Sequence, residues 1–284
     1  MNKKNIDKPF DKTAENTSKK ISNEISDKLI DVQNRKANHP LVIDHVGIKG
    51  IKYPIAVYDK KRGFQHTVAE VAMFVDLPSH YKGTHMSRFI EILSKVDGEI
   101  SVNRLKEILK TMKQKLNAQK SKIEFHFPYF IEKIAPISHS KAYIDYDCKL
   151  TATLSDKFSY TLSVIIPVHS LCPCSKEISN FSAHNQRSFV TITIEAKTVI
   201  WIEDLVDIAE RNSSSPLYSY LKRVDEKYVT EYAYNHPMFV EDIVRAVANE
   251  LQKISEIKYF KVEAENMESI HNHNAYASIE KSFI

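Results

Sequence analysis

The stretch Leu171–Ser188, LCPCSKEISNFSAHNQRS, holds two of the chain's three cysteines, one histidine and two basic side chains. A cysteine alone reads as a small buried apolar residue, and a lone histidine as an ordinary satisfied one. Their co-occurrence with Lys176 and Arg187 changes the reading, because nearby cations favour the thiolate, the form that binds metal or attacks. Cys172 and Cys174 are separated only by Pro173, too tight for a C-x-x-C knuckle or dithiol motif. One of the two is therefore expected as a ligand, with His184 as its partner. The run lies between two strand-like segments and reads as a long hairpin connection, where a rigid sheet can hold binding groups.

Other acids, bases and imidazoles are less telling by themselves. Glu226, in LKRVDEKYVTEYA, sits among basic residues and reads as a solvated charge. Glu241 precedes a strong apolar helical stripe, where an acid complements the helix dipole, and Asp242 is a competing acid one residue on. His271 and His273 alternate near the C-terminus with Glu268 just before them, so an extended backbone puts both rings on one face; a polar terminus is the plain alternative. No phosphate-loop pattern G-x-x-x-x-G-K-S/T occurs.

The elements that must position these residues follow from hydrophobic periodicity. Two strands are expected in 42–59 and 65–77, joined by the turn-like DKKRGF. Two helical stripes follow: Met86, Phe89, Ile90, Leu93, and then Val102, Leu105, Ile108, Leu109, Met112, Leu116, the second capped by Ser101. Strand character resumes in KIEFHFPYFIEKI and AYIDYDCKLTATL, which places Cys148 on one strand face and not among the ligands. Phe158, Tyr160, Leu162, Val164, Ile166 and Val168 alternate strictly and deliver the chain to Leu171. Beyond the cysteine stretch come a strand (SFVTITIEAK), a helix (IEDLVDIAER), a polar connection, a helix begun by Pro237 with the stripe Val240, Ile243, Val244, Val247, Leu251, Ile254, and a last strand, YFKVEAEN. The order β-β-α-α-β-β thus recurs in 41–155 and 156–284, which argues for the α+β class, antiparallel sheets with helices on one face. Residues 1–40 are polar and read as a disordered tail, with a weak helical spacing at Ile21, Ile25 and Leu29.

The 284 residues suffice for one large or two ordinary domains, and 43% are hydrophobic. No apolar run reaches a membrane span and the N-terminus lacks a signal-peptide core, so the expected location is cytoplasmic and no membrane partner is expected. Three cysteines suit a reducing compartment. A net charge of +4, mixed in sign along the chain, does not point to nucleic acid.

Five separated segments together resemble one family. LCPCSKEIS with AHNQRS, KRVDEKYVT, FVEDIVR, the H-x-H at 271–273 and GTHMSRF resemble the GTP cyclohydrolases of type IB, over residues from about 42 to the C-terminus. The resemblance implies a tunnelling fold with two units per chain, assembled as a homotetramer with active sites at subunit interfaces. It implies one divalent metal per site, Zn, Mn or Fe(II), held by Cys172, His184 and Glu226. It singles out Glu241 as the anchor of the guanine, whose N1–H and exocyclic amine suit two carboxylate oxygens. His271 and His273, with Glu268 beside them, would transfer protons, and Cys172 belongs to the same catalytic set. A triphosphate substrate would need cations, for which Lys176, Arg187, Arg223 and Arg88 are the choices. The implied reaction opens the GTP imidazole ring at C8, releases formate and gives 7,8-dihydroneopterin triphosphate. Two alternatives stay open: a related cyclohydrolase with a cyclic-phosphate product, and a thiol- or metal-sensing binding protein that consumes no GTP.

Overall fold

In the computed structural model, which describes residues 31–96 and 98–283, strands β1 (Ile43–Asp59) and β2 (Gly63–Leu77) form the expected antiparallel pair. Their turn is built locally: the Asp59 carboxylate accepts the backbone amides of Lys61 and Arg62 at 2.9 and 2.8 Å, and Gly63 takes φ 83°, a region L side chains disfavour. Farther along β1 the strands press close. A Cβ on Gly47 would lie 1.8 Å from the Met73 carbonyl oxygen, so only glycine fits.

Helix α1 (Met86–Leu93), a short strand β3 (Glu99–Ile100) and helix α2 (Val102–Lys115) lead to β4 (Ser121–Ile134) and β5 (Lys141–Leu154). Ser101 caps α2 as expected, its hydroxyl accepting the Arg104 amide at 3.3 Å. The α1 stripe is shifted: Phe89, Ile92 and Leu93 are buried while Met86 and Ile90 are exposed. The second half runs β6 (Phe158–Leu171), α3 (Pro173–Ile178), β7 (Asn185–Ala196), α4 (Ile202–Arg211), β8 (Ser215–Pro216), α5 (Arg223–Asn235), α6 (Val240–Leu251), β9 (Ile257–Asn266) and β10 (Ala275–Ser282).

These strands form one ten-stranded sheet in the order β10-β9-β7-β6-β5-β4-β2-β1-β3, with β8 added to β6. Only β1–β3 is parallel. The halves join where β5 pairs with β6, from Asp147–Ile165 to Leu154–Phe158. The architecture is α+β, with the helices packed on one face. That face is the core: Phe125, Phe127, Tyr129, Tyr146, Cys148, Val164, Ile166, Val190, Ile192 and Val262 lie under Leu105, Leu109, Leu205, Ile243 and Val247. Each such aliphatic side chain withdrawn from water contributes roughly 1.5–3 kcal/mol. The antiparallel registers put the β1–β2, β4–β5, β6–β7 and β9–β10 connections at one end of the sheet.

Four expectations need correction. The cysteine stretch is not all loop, because Pro173 at the first helical position starts α3. LKRVDEKYVTEYAYNHP contains the full helix α5, so the second half carries more helices than the pattern of two. The helix expected from Pro237 begins at Val240. Residues 31–37 do not behave as free tail: Lys82 and Gly83 donate backbone hydrogen bonds to the carbonyls of Arg35 and Gln33 at 2.9 and 3.1 Å, and His85 Nε2 lies 3.2 Å from the Asp31 carboxylate. The rest of the expected tail, with Ile21, Ile25 and Leu29, lies outside the described residues. Among the described residues no helix is long and apolar enough to cross a membrane.

Candidate active site

The last residue of β6 is held from two sides. The Leu171 amide donates to Ser214 Oγ at 3.0 Å, and the Met238 amide donates to the Leu171 carbonyl at 3.1 Å, which brings the entry to α6 beside the cysteine stretch. That stretch then closes on itself. The Cys172 amide donates to the His184 carbonyl at 3.1 Å, the His184 amide to Ser175 Oγ at 3.2 Å, and the Ser175 hydroxyl to the Cys172 carbonyl at 3.3 Å. Cys172 and His184 are thereby neighbours. Cys172 is the N-cap of α3, where its sulfur accepts the Ser175 amide at 3.4 Å. Cys172 is half-buried and Cys174 exposed. Cys148 is fully buried on β5, and burial pushes its thiol well above the ordinary range, as suits a core residue.

The β9–β10 turn supplies the other side. Met267 donates its amide to the Arg187 carbonyl at 2.9 Å, which sets the turn against β7. Glu268 is largely buried, and its Oε2 lies 3.8 Å from His184 Nδ1, without a hydrogen-bond partner. The His271 ring stands edge-on to His184 at 6.4 Å, and His273 stacks on His271 at 5.2 Å. Cys172, His184, Glu268, His271 and His273 thus occupy one end of the sheet, drawn from two connections nearly a hundred residues apart.

The remaining residues are placed less tightly. Glu226 is exposed on α5, while its neighbour Asp225 is fully buried. Glu241 is exposed in the first turn of α6. Asp242, the competing acid, is engaged in capping: its carboxylate accepts the Phe239 amide at 3.1 Å. Lys176 donates to the Tyr234 carbonyl at 2.5 Å and lies 4.2 Å over the Tyr234 ring, which ties α3 to α5. Arg187 and Arg223 are exposed at the starts of β7 and α5. Arg88 donates to the Lys115 carbonyl at 2.9 Å among the helices of the first half, away from the other three candidate cations.

A cysteine sulfur beside an imidazole, with a buried carboxylate oxygen of Glu268 left unpaired, is a donor set that suits a divalent metal in kind. Among the described residues of one chain no group of three or more His, Cys, Asp and Glu side chains converges closely enough to hold an ion, and Glu226 is not drawn to Cys172 and His184.

A buried polar row that no motif marks lies behind this site. Ser170, Gln186, Ser188 and Asn266 occupy core-facing positions of otherwise apolar strands. The signal was available in the alternation itself, since a polar residue at an inward position calls for a buried partner; Ser188 Oγ and Asn266 Oδ1 are left without one.

A family model described as type I GTP cyclohydrolase folE2 matches residues 29–277. The chain is 53% identical over 254 residues to the GTP cyclohydrolase FolE2 of Geobacter sp. (strain M21), covering 89% of this chain and 95% of that protein. It is 49% identical over 252 residues to the protein of the same name from Fervidobacterium nodosum, covering 88% and 97%. Among solved structures, urate oxidase from Bacillus subtilis 168 superposes with a TM-score of 0.50 at 7% identity, over 84% of this chain and 98% of that one, a likeness of fold alone.

Proposed function

The chain belongs to the type I GTP cyclohydrolase FolE2 family and is a GTP cyclohydrolase of folate biosynthesis with a tunnelling fold, and from that premise we propose that Leu171–Ser188 and the β9–β10 turn are its catalytic centre. The observation that carries the reading is the closed loop that sets Cys172 beside His184, with Glu268, His271 and His273 arriving from the opposite strand pair.

In this reading Cys172, His184 and Glu226 hold one divalent ion, Zn, Mn or Fe(II). When bound, the ion supplies a nucleophile from water at neutral pH for attack at C8 of GTP. Glu241 accepts the guanine N1–H and amine; the capping bond that occupies Asp242 supports Glu241 as the anchor. His271 and His273 move protons to the nitrogen that departs as formate is released, imidazoles being suited to that role near neutral pH. Glu268 keeps a carboxylate at the edge of the imidazole group. For the triphosphate, Arg187 and Arg223 are exposed at this end, whereas Lys176 and Arg88 already donate to backbone carbonyls. The product is 7,8-dihydroneopterin triphosphate.

The working form in this reading is a homotetramer with sites at subunit interfaces, where Glu226 joins the other two ligands. Apolar side chains bordering the site support it: Phe181 is 91% exposed, Ile178 78% and Ile270 64%, and among the described residues no strand pairs with the outer edge of β10. Three free cysteines agree with work in the reducing cytoplasm. The test is formate release from GTP by metal-free protein after addition of each metal, with the product analysed by mass. Release of one formate per GTP and an uncyclised triphosphate is the expected result, and no formate with any metal would overturn the proposal.

A further inference from the structure

The buried row behind His184 has a polarity that can be traced from one end. The Met238 carbonyl carries no hydrogen, so the Ser170 hydroxyl donates to it, at 3.3 Å, and keeps only oxygen lone pairs for its other neighbours. Gln186 and Asn266 therefore both turn their amide nitrogens to Ser170 Oγ, at 3.3 and 3.2 Å. With its nitrogen so used, Gln186 presents Oε1 to His184 Nδ1 at 3.0 Å. An oxygen acceptor there requires a hydrogen on that nitrogen. Glu268 Oε2, at 3.8 Å from the same atom, is too far for a hydrogen bond but favours the same arrangement. Gln186 is only 6% exposed, Asn266 3% and Ser170 fully buried, so water does not compete for these bonds; Asn266 Oδ1 is left without a partner, but turning the Gln186 amide over would set its oxygen against a Ser170 oxygen whose one hydrogen is already given to Met238.

We propose that Gln186 is a positioning residue that, oriented by Ser170, holds His184 as the Nδ1–H tautomer and leaves Nε2 as the ligand atom for a divalent metal. A ligating histidine generally gives its second ring hydrogen to a fixed acceptor, which sets both ring orientation and tautomer. Here the acceptor is an amide whose own direction is dictated by a backbone carbonyl at the entry to α6. The row thus connects the histidine to the segment that carries Glu241.

The proposal rests on the reading of His184 as a metal ligand, and the experiment separates the two. Nitrogen-15 imidazole spectra of metal-free full-length protein report the His184 tautomer, and chelator competition with Zn reports affinity, for wild type, Gln186→Leu, Gln186→Glu, Ser170→Ala and His184→Ala. The wild type should show the Nδ1–H form. Gln186→Leu should lose that preference and bind Zn about 10–100-fold more weakly, Gln186→Glu should retain both because a carboxylate also accepts, and Ser170→Ala should weaken the preference. An Nε2–H tautomer in the wild type overturns the proposal whether or not any variant folds, as does wild-type tautomer and affinity in Gln186→Leu. Undiminished Zn affinity in His184→Ala would instead remove the ligand reading itself.

Discussion

Asp225 and Ser138 belong to opposite halves of the chain, yet the Asp225 carboxylate accepts the Ser138 backbone amide at 2.8 Å. The same carboxylate takes the amides of Ile137 and Lys222, each at 2.9 Å. The start of α5, and with it Glu226, is therefore pinned to the β4–β5 turn. Burial pushes the Asp225 carboxyl up, but the hydrogen bonds from Ser138, Lys222 and Ile137 outweigh it and hold the group well below the usual carboxylate range.

A carboxyl depressed in the folded state stabilises the protein above its unfolded pKa of ~3.9 and loses that contribution as pH falls toward the folded value. Asp225→Asn should lower the melting temperature at pH 7, and the gap to wild type should narrow below about pH 4 as the native carboxyl protonates. Melting curves of both proteins between pH 7 and 3 check this. A gap that does not change across that range would show that the charge of Asp225 is not what anchors α5.

The three cysteines should separate cleanly. Cys172→Ala is expected to abolish metal binding and turnover, whereas Cys174→Ala keeps most of both, since its thiol is exposed outside the closed loop. Cys148 should resist alkylation in the native protein because it is fully buried with its thiol pushed up. Metal content and rate of the variants, with alkylation followed by mass, are the measurements. Full metal content in Cys172→Ala would refute the ligand assignment.

Glu241→Gln should weaken GTP binding by roughly 1.5–3 kcal/mol, the usual worth of hydrogen bonds to a charged group, and leave metal affinity unchanged. An amide accepts with one end only and sets its donors against those of guanine. Calorimetry with GTP decides, and unaltered affinity would move the anchor elsewhere.

His271→Ala and His273→Ala should each bind metal nearly as wild type and lose about 10²–10⁴ in rate, the range for a removed general acid or base. The His271 ring lies 6.4 Å from that of His184 and 5.2 Å from that of His273. At least one variant should alter the pH–rate profile. Normal rates in both would make the turn merely polar, and loss of metal in either would make that residue a ligand.

Much of the molecule follows from the order of residues alone. Alternation with period two marked β1, β2, β4, β5 and β6, and period 3.6 marked α2, α4 and the stripe of α6, because each element must turn an apolar face to one core. Residue types crowded into Leu171–Ser188 point to the candidate site. The α3 turn is not legible because six residues carry too little periodicity to rise above a loop, and α5 is not because it buries only Asp225 and Ala233 and so presents no apolar stripe. What only the tertiary structure decided is which groups meet. Cys172 and His184 are joined by backbone bonds across the loop, and His271 and His273 reach them because β9 pairs with β7, which nothing local in either segment specifies. The same holds for the acids at the helix starts: local sequence cannot tell Glu241 from Asp242 or Glu226 from Asp225. In each pair the structure engages the aspartate, on the Phe239 amide for Asp242 and on the β4–β5 turn for Asp225, and leaves the glutamate exposed. The reason is physical: short-range propensity acts on a few neighbouring residues, whereas the partner of a buried polar group is set by long-range strand pairing and helix packing.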